Sequence, residues 1–193
     1  MRVRGIARSI VRTATVGLLG AVSLLGAPAA RAQPSATAPR ERPVVLVSTL
    51  RFEGRSANSI EPGDSAVALT TTARLVAALR AADVATLVDS ARAATAIAQA
   101  DTAGQRCAAS LDCLRDVGRR LGARYVVLGK VSKVSGLIWY LSAQLAPVDG
   151  GPSALDEGFE LKGGRDDIVP RGGESLGRRI GRAIEGRGAT SGG

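Results

Sequence analysis

The chain has 193 residues, 26 of them basic and 17 acidic, for a formal net charge of +9, and it contains no histidine. Without histidine, Ser-His-Asp and Cys-His nucleophile systems and the ordinary catalytic zinc sites are excluded. The length suits one domain with a real core, and two cysteines cannot complete a four-ligand structural metal site.

Residues 1–32 read as a signal peptide. Arg2, Arg4, Arg8 and Arg12 form a basic start, the apolar run VGLLGAVSLL follows, and APAARA places Ala30 and Ala32 like a signal-peptidase site. Cleavage near Ala32 is expected, giving a periplasmic or secreted protein. The competing reading is an uncleaved membrane anchor, since the uncharged stretch 13–30 approaches the span of about 20 residues that a bilayer needs. No cysteine stands near Ala32 to carry a lipid, and no second long apolar run follows. Removing the leader takes five arginines and no acids, which leaves 21 basic and 17 acidic residues, a charge of +4. No dense basic block with interleaved aromatics remains, so nucleic acid is not an expected partner. Peripheral attraction to anionic envelope surfaces is compatible with the charge.

Residues 33–42, QPSATAPRER, are proline-rich and polar and read as a linker. The domain proper spans 43–186, and 187–193 is expected to be a disordered tail. It opens with a continuous apolar run at 44–47, the pattern of a strand buried on both faces. A helix follows behind Gly63, Asp64 and Ser65, with Leu69, Ala73, Val76 and Leu79 at helical spacing. A short strand at 84–89 leads to an alanine-rich helix capped by Asp89 or Ser90. SLDCLRDVGRRLG is a further helix: Ser110 suits the N-cap, Leu114, Val117 and Leu121 share a face, and charges match the dipole at both ends. Gly122 ends it.

Next, 125–134 reads as a strand, Ser135 and Gly136 as a tight turn, and 137–146 as the returning strand. Alternation puts Leu137, Trp139, Leu141, Ala143 and Leu145 on one face and Tyr140, Ser142 and Gln144 on the other. Leu155, Phe159 and Leu161 mark a third strand. The last helix, from Pro170 to about Glu185, carries Leu176, Ile180 and Ile184 on one stripe. Gly173, Gly177 and Gly181 recur beside it and predict close packing, with a frayed helix as the alternative. The whole is a single α/β domain in β-α-β-α-α-β-β-β-α order. Its mixed sheet is parallel in front, with an antiparallel three-stranded meander at the back, and helices pack on it.

Few residues point to chemistry. Cys107 and Cys113, an even pair in an exported chain, are read as a disulfide; free thiols and a redox role are the alternatives, although the Cys-x-x-Cys spacing is lacking. Asp156 and Glu157 fall on opposite faces of a strand, and Asp166 and Asp167 suit a helix start. Gly129-Lys130 fails as a phosphate loop on spacing and on the Val131 that follows. Lys130 and Lys133 point to opposite faces, which makes a poor anion clamp. No catalytic residue, cofactor or metal site is assigned.

The stretches VVLVSTLRFEG, LRAADVATLVD, CLRDVGRRLGARYVVLGKVSKVSGLIWYLSAQLAPVDG and FELKGGRDDIVPRGGESLGRRI, with LGA-x-YVVLGKVSKVS the most specific, resemble a family of small secreted bacterial proteins of unknown function that carry a G-x-V-x-K-V-S strand pair. They are also similar to the TolB-like amino-terminal domain and, more distantly, to CsgG-type assembly proteins. The resemblance implies a non-enzymatic module that binds or helps assemble an envelope protein. Tyr140, Ser142 and Gln144, with a sheet edge, are the expected interaction surface. A small-ligand domain with a pocket beside the meander is the alternative.

Overall fold

The structure, a computed structural model, describes residues 41–54 and 60–190. The expected leader, nearly all of the expected linker and the last three residues of the expected tail lie outside them.

Strand β1 (Val44–Val47) breaks and resumes as β2 (Arg51–Gly54); α1 (Asp64–Ala82), β3 (Thr86–Leu87), α2 (Ser90–Thr102) and α3 (Leu111–Arg120) follow. Strands β4 (Tyr125–Lys133), β5 (Ile138–Pro147) and β6 (Leu155–Lys162) form the meander, and α4 (Arg165–Thr190) closes the domain. The sheet order is β3-β1-β4-β5-β6, with β2 also paired to β4. The pairings of β1 with β3, β1 with β4 and β2 with β4 are parallel, while β4, β5 and β6 are antiparallel. This is the expected mixed α/β architecture, with the first strand carried on past a break.

The break has a physical cause. Ser48 donates from both its N–H and its hydroxyl to the Val127 carbonyl, at 3.1 and 2.9 Å. The Leu50 N–H then leaves the ladder and donates to Thr72 Oγ1 at 2.9 Å. Leu50 thereby turns into the core over Gly129, where a Cβ would stand 2.5 Å from Leu50 Cδ2. Gly129 is therefore a packing glycine, and the approach of Leu50 accounts for its place before Lys130.

Two apolar clusters sandwich the sheet. On one face α1 and α4 cover Val45, Val127, Val131, Trp139, Leu141 and Leu145, all fully buried. On the other, α2 and α3 cover Leu46, Val126, Ala146 and Val148 with Leu114, Val117 and both cysteines. Each large side chain so buried contributes about 1.5–3 kcal/mol.

Several local readings shift. The buried stripe of α1 is Val67, Thr71, Leu75 and Leu79, whereas Leu69 is 63 % exposed. This helix is apolar nearly all round, with only Arg74 and Arg80 charged after Asp64, so periodicity could not choose a face. Leu137 precedes β5 and is exposed, although Trp139, Leu141, Ala143 and Leu145 are buried together as alternation required. Helix α4 begins before Pro170, which sits in its second turn. There the missing amide leaves only the Asp166 carbonyl without its helical partner. The glycine stripe is close-packed at two of its three positions: a Cβ at Gly173 would collide with the Thr71 carbonyl, and one at Gly177 would lie 2.6 Å from the Leu75 carbonyl oxygen. At Gly181 the nearest atom would be 3.4 Å away, an ordinary contact.

Helix caps follow the sequence. The Arg92 N–H donates to Asp89 Oδ1 at 2.9 Å and the Cys113 N–H to Ser110 Oγ at 3.3 Å. Gly122, with φ of 72°, takes the left-handed position after α3. Among the described residues no helix is long and apolar enough to cross a membrane.

Candidate functional site

The apolar cluster under α2 and α3 extends along β4 only to Leu128 and along β5 only from Ala146. Beyond it the same sheet face turns polar. Register places Arg51 beside Lys130, Lys130 beside Ser142 and Ser142 beside Gly158, and in the next row Leu128, Gln144 and Asp156. Lys130, Ser142, Gln144 and Asp156 line a depression of about 230 Å³, walled by Ala108 and Ala109 of the loop before α3. That loop is tied down at Cys107 and Cys113, whose sulfurs are bonded with Cα atoms 4.9 Å apart. Asp101 Oδ1 also accepts from the Cys107 N–H.

Strand alternation brings Tyr140, Ser142 and Gln144 onto this face, each half-buried. Gln144 Nε2 donates to Asp156 Oδ2 at 2.8 Å. The Tyr140 ring lies over Gly158, occupying the space that a side chain there would fill. Across the face, Lys130 Nζ stands 2.9 Å from Glu53 Oε2, and Arg51 pairs with the same carboxylate. The hydrogen bond from Lys130 holds the Glu53 carboxyl below its ordinary pKa, against partial desolvation and with help from Arg51. The face is thus basic towards β2 and acidic towards β6.

Arg51, Glu53 and Asp156 were not singled out from the sequence as parts of one surface. The four residues of β2 carry too little pattern to announce a strand, and without β2 nothing places them beside Lys130.

On the opposite face Lys133, which is 1 % exposed, donates to Asp64 Oδ2 at 2.8 Å and to Glu61 Oε2 at 3.0 Å. Its ammonium lies 5.5 Å from the centre of the Trp139 ring. Asp64, fully buried, also accepts from Arg165 Nη1 at 3.0 Å and from the Glu61 N–H at 2.7 Å. Burial pushes the Asp64 carboxyl up, but these hydrogen bonds together outweigh it and its pKa lies below the ordinary value. The Asp64 hydrogen bond raises Lys133 against its own desolvation. This clamp joins the start of α1, the end of β4 and the start of α4. With both central groups sealed from solvent, it is structural. The alternation of β4 held the signal, because Lys133 shares a face with Tyr125, Val127 and Val131.

Asp156 and Glu157 diverge as strand geometry requires: Asp156 meets Gln144, and Glu157 pairs with Arg179 of α4 at 2.6 Å. Asp166 and Asp167 lie in the first turn of α4. Among the described residues no three histidine, cysteine, aspartate or glutamate side chains gather as a metal site.

Comparison with known proteins adds a family and several distant likenesses. A family model described as "Protein of unknown function (DUF2380)" matches residues 53–180. Comparison with curated protein sequences gives no match. Among solved structures, the LpoB C-terminal domain from Salmonella enterica is 18 % identical, with a TM-score of 0.42 over 62 % of this chain and 82 % of that one. A PelC dodecamer subunit from Paraburkholderia phytofirmans is 15 % identical, with a TM-score of 0.44 over 74 % and 86 % of the two chains. TolB from Acinetobacter baumannii is 14 % identical, with a TM-score of 0.44 over 78 % of this chain and 30 % of its own.

Proposed function

The chain belongs to the family of proteins of unknown function whose model matches residues 53–180, and we propose that it is a non-enzymatic, exported α/β module that binds another cell-envelope protein through the open face of its sheet. The relation to the TolB-like amino-terminal domain and, further off, to CsgG-type assembly proteins is part of this reading. So are the leader at 1–32, with cleavage near Ala32, and periplasmic residence.

The observation that carries it is the half-covered sheet. Helices cover one face along its length and the other only to Leu128, leaving Tyr140, Ser142 and Gln144 in a polar field with Lys130, Arg51 and Asp156. The side chains there are partnered rather than poised. Glu53 is held by two cations and Asp156 by Gln144, an arrangement suited to complementary surface contact more than to proton transfer. At about 230 Å³ the depression is also smaller than the usual range for small-molecule sites, which favours a protein partner over the small-ligand alternative.

The test is capture from envelope extracts by the purified chain and by two variants, Ser142→Arg and Gln144→Arg, with Leu69→Ser on the outer side of α1 as control. Loss of the captured envelope protein in the two face variants and retention in the control are expected. Equal capture by all four proteins would place the contact elsewhere.

A further inference from the structure

Strand β6 is the long outer edge of the sheet, and among the described residues it pairs only with β5. Its hydrogen-bond parity is set by the Gly163 N–H, which donates to the Leu137 carbonyl at 2.9 Å. Leu161, Phe159, Glu157 and Leu155, two, four, six and eight residues earlier, therefore turn their backbone groups to β5. Asp156, Gly158, Glu160 and Lys162 turn theirs outward, and all four are exposed. Eight residues of unpaired edge form a template for another strand unless something blocks it.

The side chains on this edge set which strand suits it best. Asp156 and Glu160 flank Gly158 at two residues on either side, on the open face. An antiparallel pairing with a second copy, centred on Gly158, sets Asp156 opposite Glu160 twice, and like charges directly opposite are unfavourable. The same two acids suit a strand with cations four residues apart, the cation opposite Glu160 displacing the exposed Lys162 ammonium that stands 3.2 Å from it. Between them, Gly158 presents no side chain and the Tyr140 ring lies over it, leaving a flat aromatic floor for a large apolar side chain at the centre of the incoming strand.

We propose that β6 is a docking edge at which an extended basic segment of the partner adds to the sheet as a further strand, with cations opposite Asp156 and Glu160 and an apolar residue opposite Gly158. This deepens the reading of the open face and rests on it. Backbone hydrogen bonds to the outward groups of Asp156, Gly158 and Glu160 hold the segment, and the alternate side chains select it.

The probe is the capped peptide TKVFVKT, added to the full chain while amide hydrogen exchange is followed residue by residue. Saturating peptide is expected to slow exchange at the Gly158 and Glu160 amides at least tenfold. A doubly reversed variant, Asp156→Lys with Glu160→Lys, is expected to bind at least tenfold more weakly while its β5 amides stay protected, which shows the fold intact. Methylation of the peptide's central backbone nitrogen removes the effect. Unchanged exchange at these amides, or equal slowing by a peptide with glutamates in place of its lysines, overturns the proposal. Slowing that rises with protein concentration alone assigns the edge to self-pairing and also overturns it. Loss of partner capture in Ser142→Arg alongside unprotected β6 amides leaves the open-face reading standing and removes strand addition alone.

Discussion

Replacing Gly177 by alanine sets helix propensity against packing, and the structure decides the sign. Propensity alone favours alanine by about 1 kcal/mol. At Gly177, however, the new Cβ would stand 2.6 Å from the Leu75 carbonyl oxygen and 2.8 Å from Ala78 Cβ, so α1 and α4 must separate. The contact is backbone, which no side-chain rotation relieves. Overpacking of this kind costs about 1–3 kcal/mol, and it is felt by Leu75, Leu176 and Ile180, fully buried at the same seam. Set against the propensity gain, the net loss should be up to about 2 kcal/mol, or up to roughly 6 °C in Tm for a domain of this size. Gly186 supplies the internal control: it lies in the same helix with nothing within 4 Å of an added Cβ, so Gly186→Ala should gain up to about 1 kcal/mol. Urea unfolding followed by circular dichroism, with unchanged m-values, reads both. If Gly177→Ala proves as stabilising as Gly186→Ala, the close crossing of α1 and α4 is refuted.

Other consequences are as direct. Removing the Cys107–Cys113 bridge, by reductant or by paired alanine substitution, should cost about 2 kcal/mol for a seven-residue loop; mass spectrometry of the purified protein with and without reductant checks that the bond is present. Asp64 has its pKa lowered on folding. Its contribution is therefore fully present above the ordinary carboxyl value of about 4 and is lost as pH falls through the lower folded value. The urea midpoint should fall as the pH drops below about 4, and Asp64→Asn should be less stable at neutral pH with a flatter acid limb. Leu75→Ala should cost about 2–5 kcal/mol, whereas Leu69→Ser should stay within about 0.5 kcal/mol; equal losses would mean that the burial assignment for α1 is wrong.

The meander was legible because its code is short-range. Trp139, Leu141, Ala143 and Leu145 alternate with Tyr140, Ser142 and Gln144, and a strand can satisfy that pattern in only one way. Helices α2 and α3 announced themselves through Asp89, Ser110 and Gly122, whose side-chain or backbone chemistry acts locally. What the sequence concealed depends on partners distant in the chain. The burial of Leu75 rather than Leu69 is decided by where α4 lies, because α1 offers an apolar surface on nearly every side. Strand β2 exists because Ser48 and Leu50 break the ladder through contacts with Val127 and Thr72. The candidate surface was half visible for the same reason: one strand supplied Tyr140, Ser142 and Gln144, but Arg51, Glu53 and Asp156 join them only once four strands are placed side by side.

The central claim is that the open sheet face meets another envelope protein. Its most direct test places a photo-crosslinking residue at Ser142 in growing cells, with the same residue at Leu69 as the comparison. The account predicts a discrete adduct with one envelope protein from position 142 and none from position 69. An absent adduct at 142, or the same adduct from both positions, would contradict it.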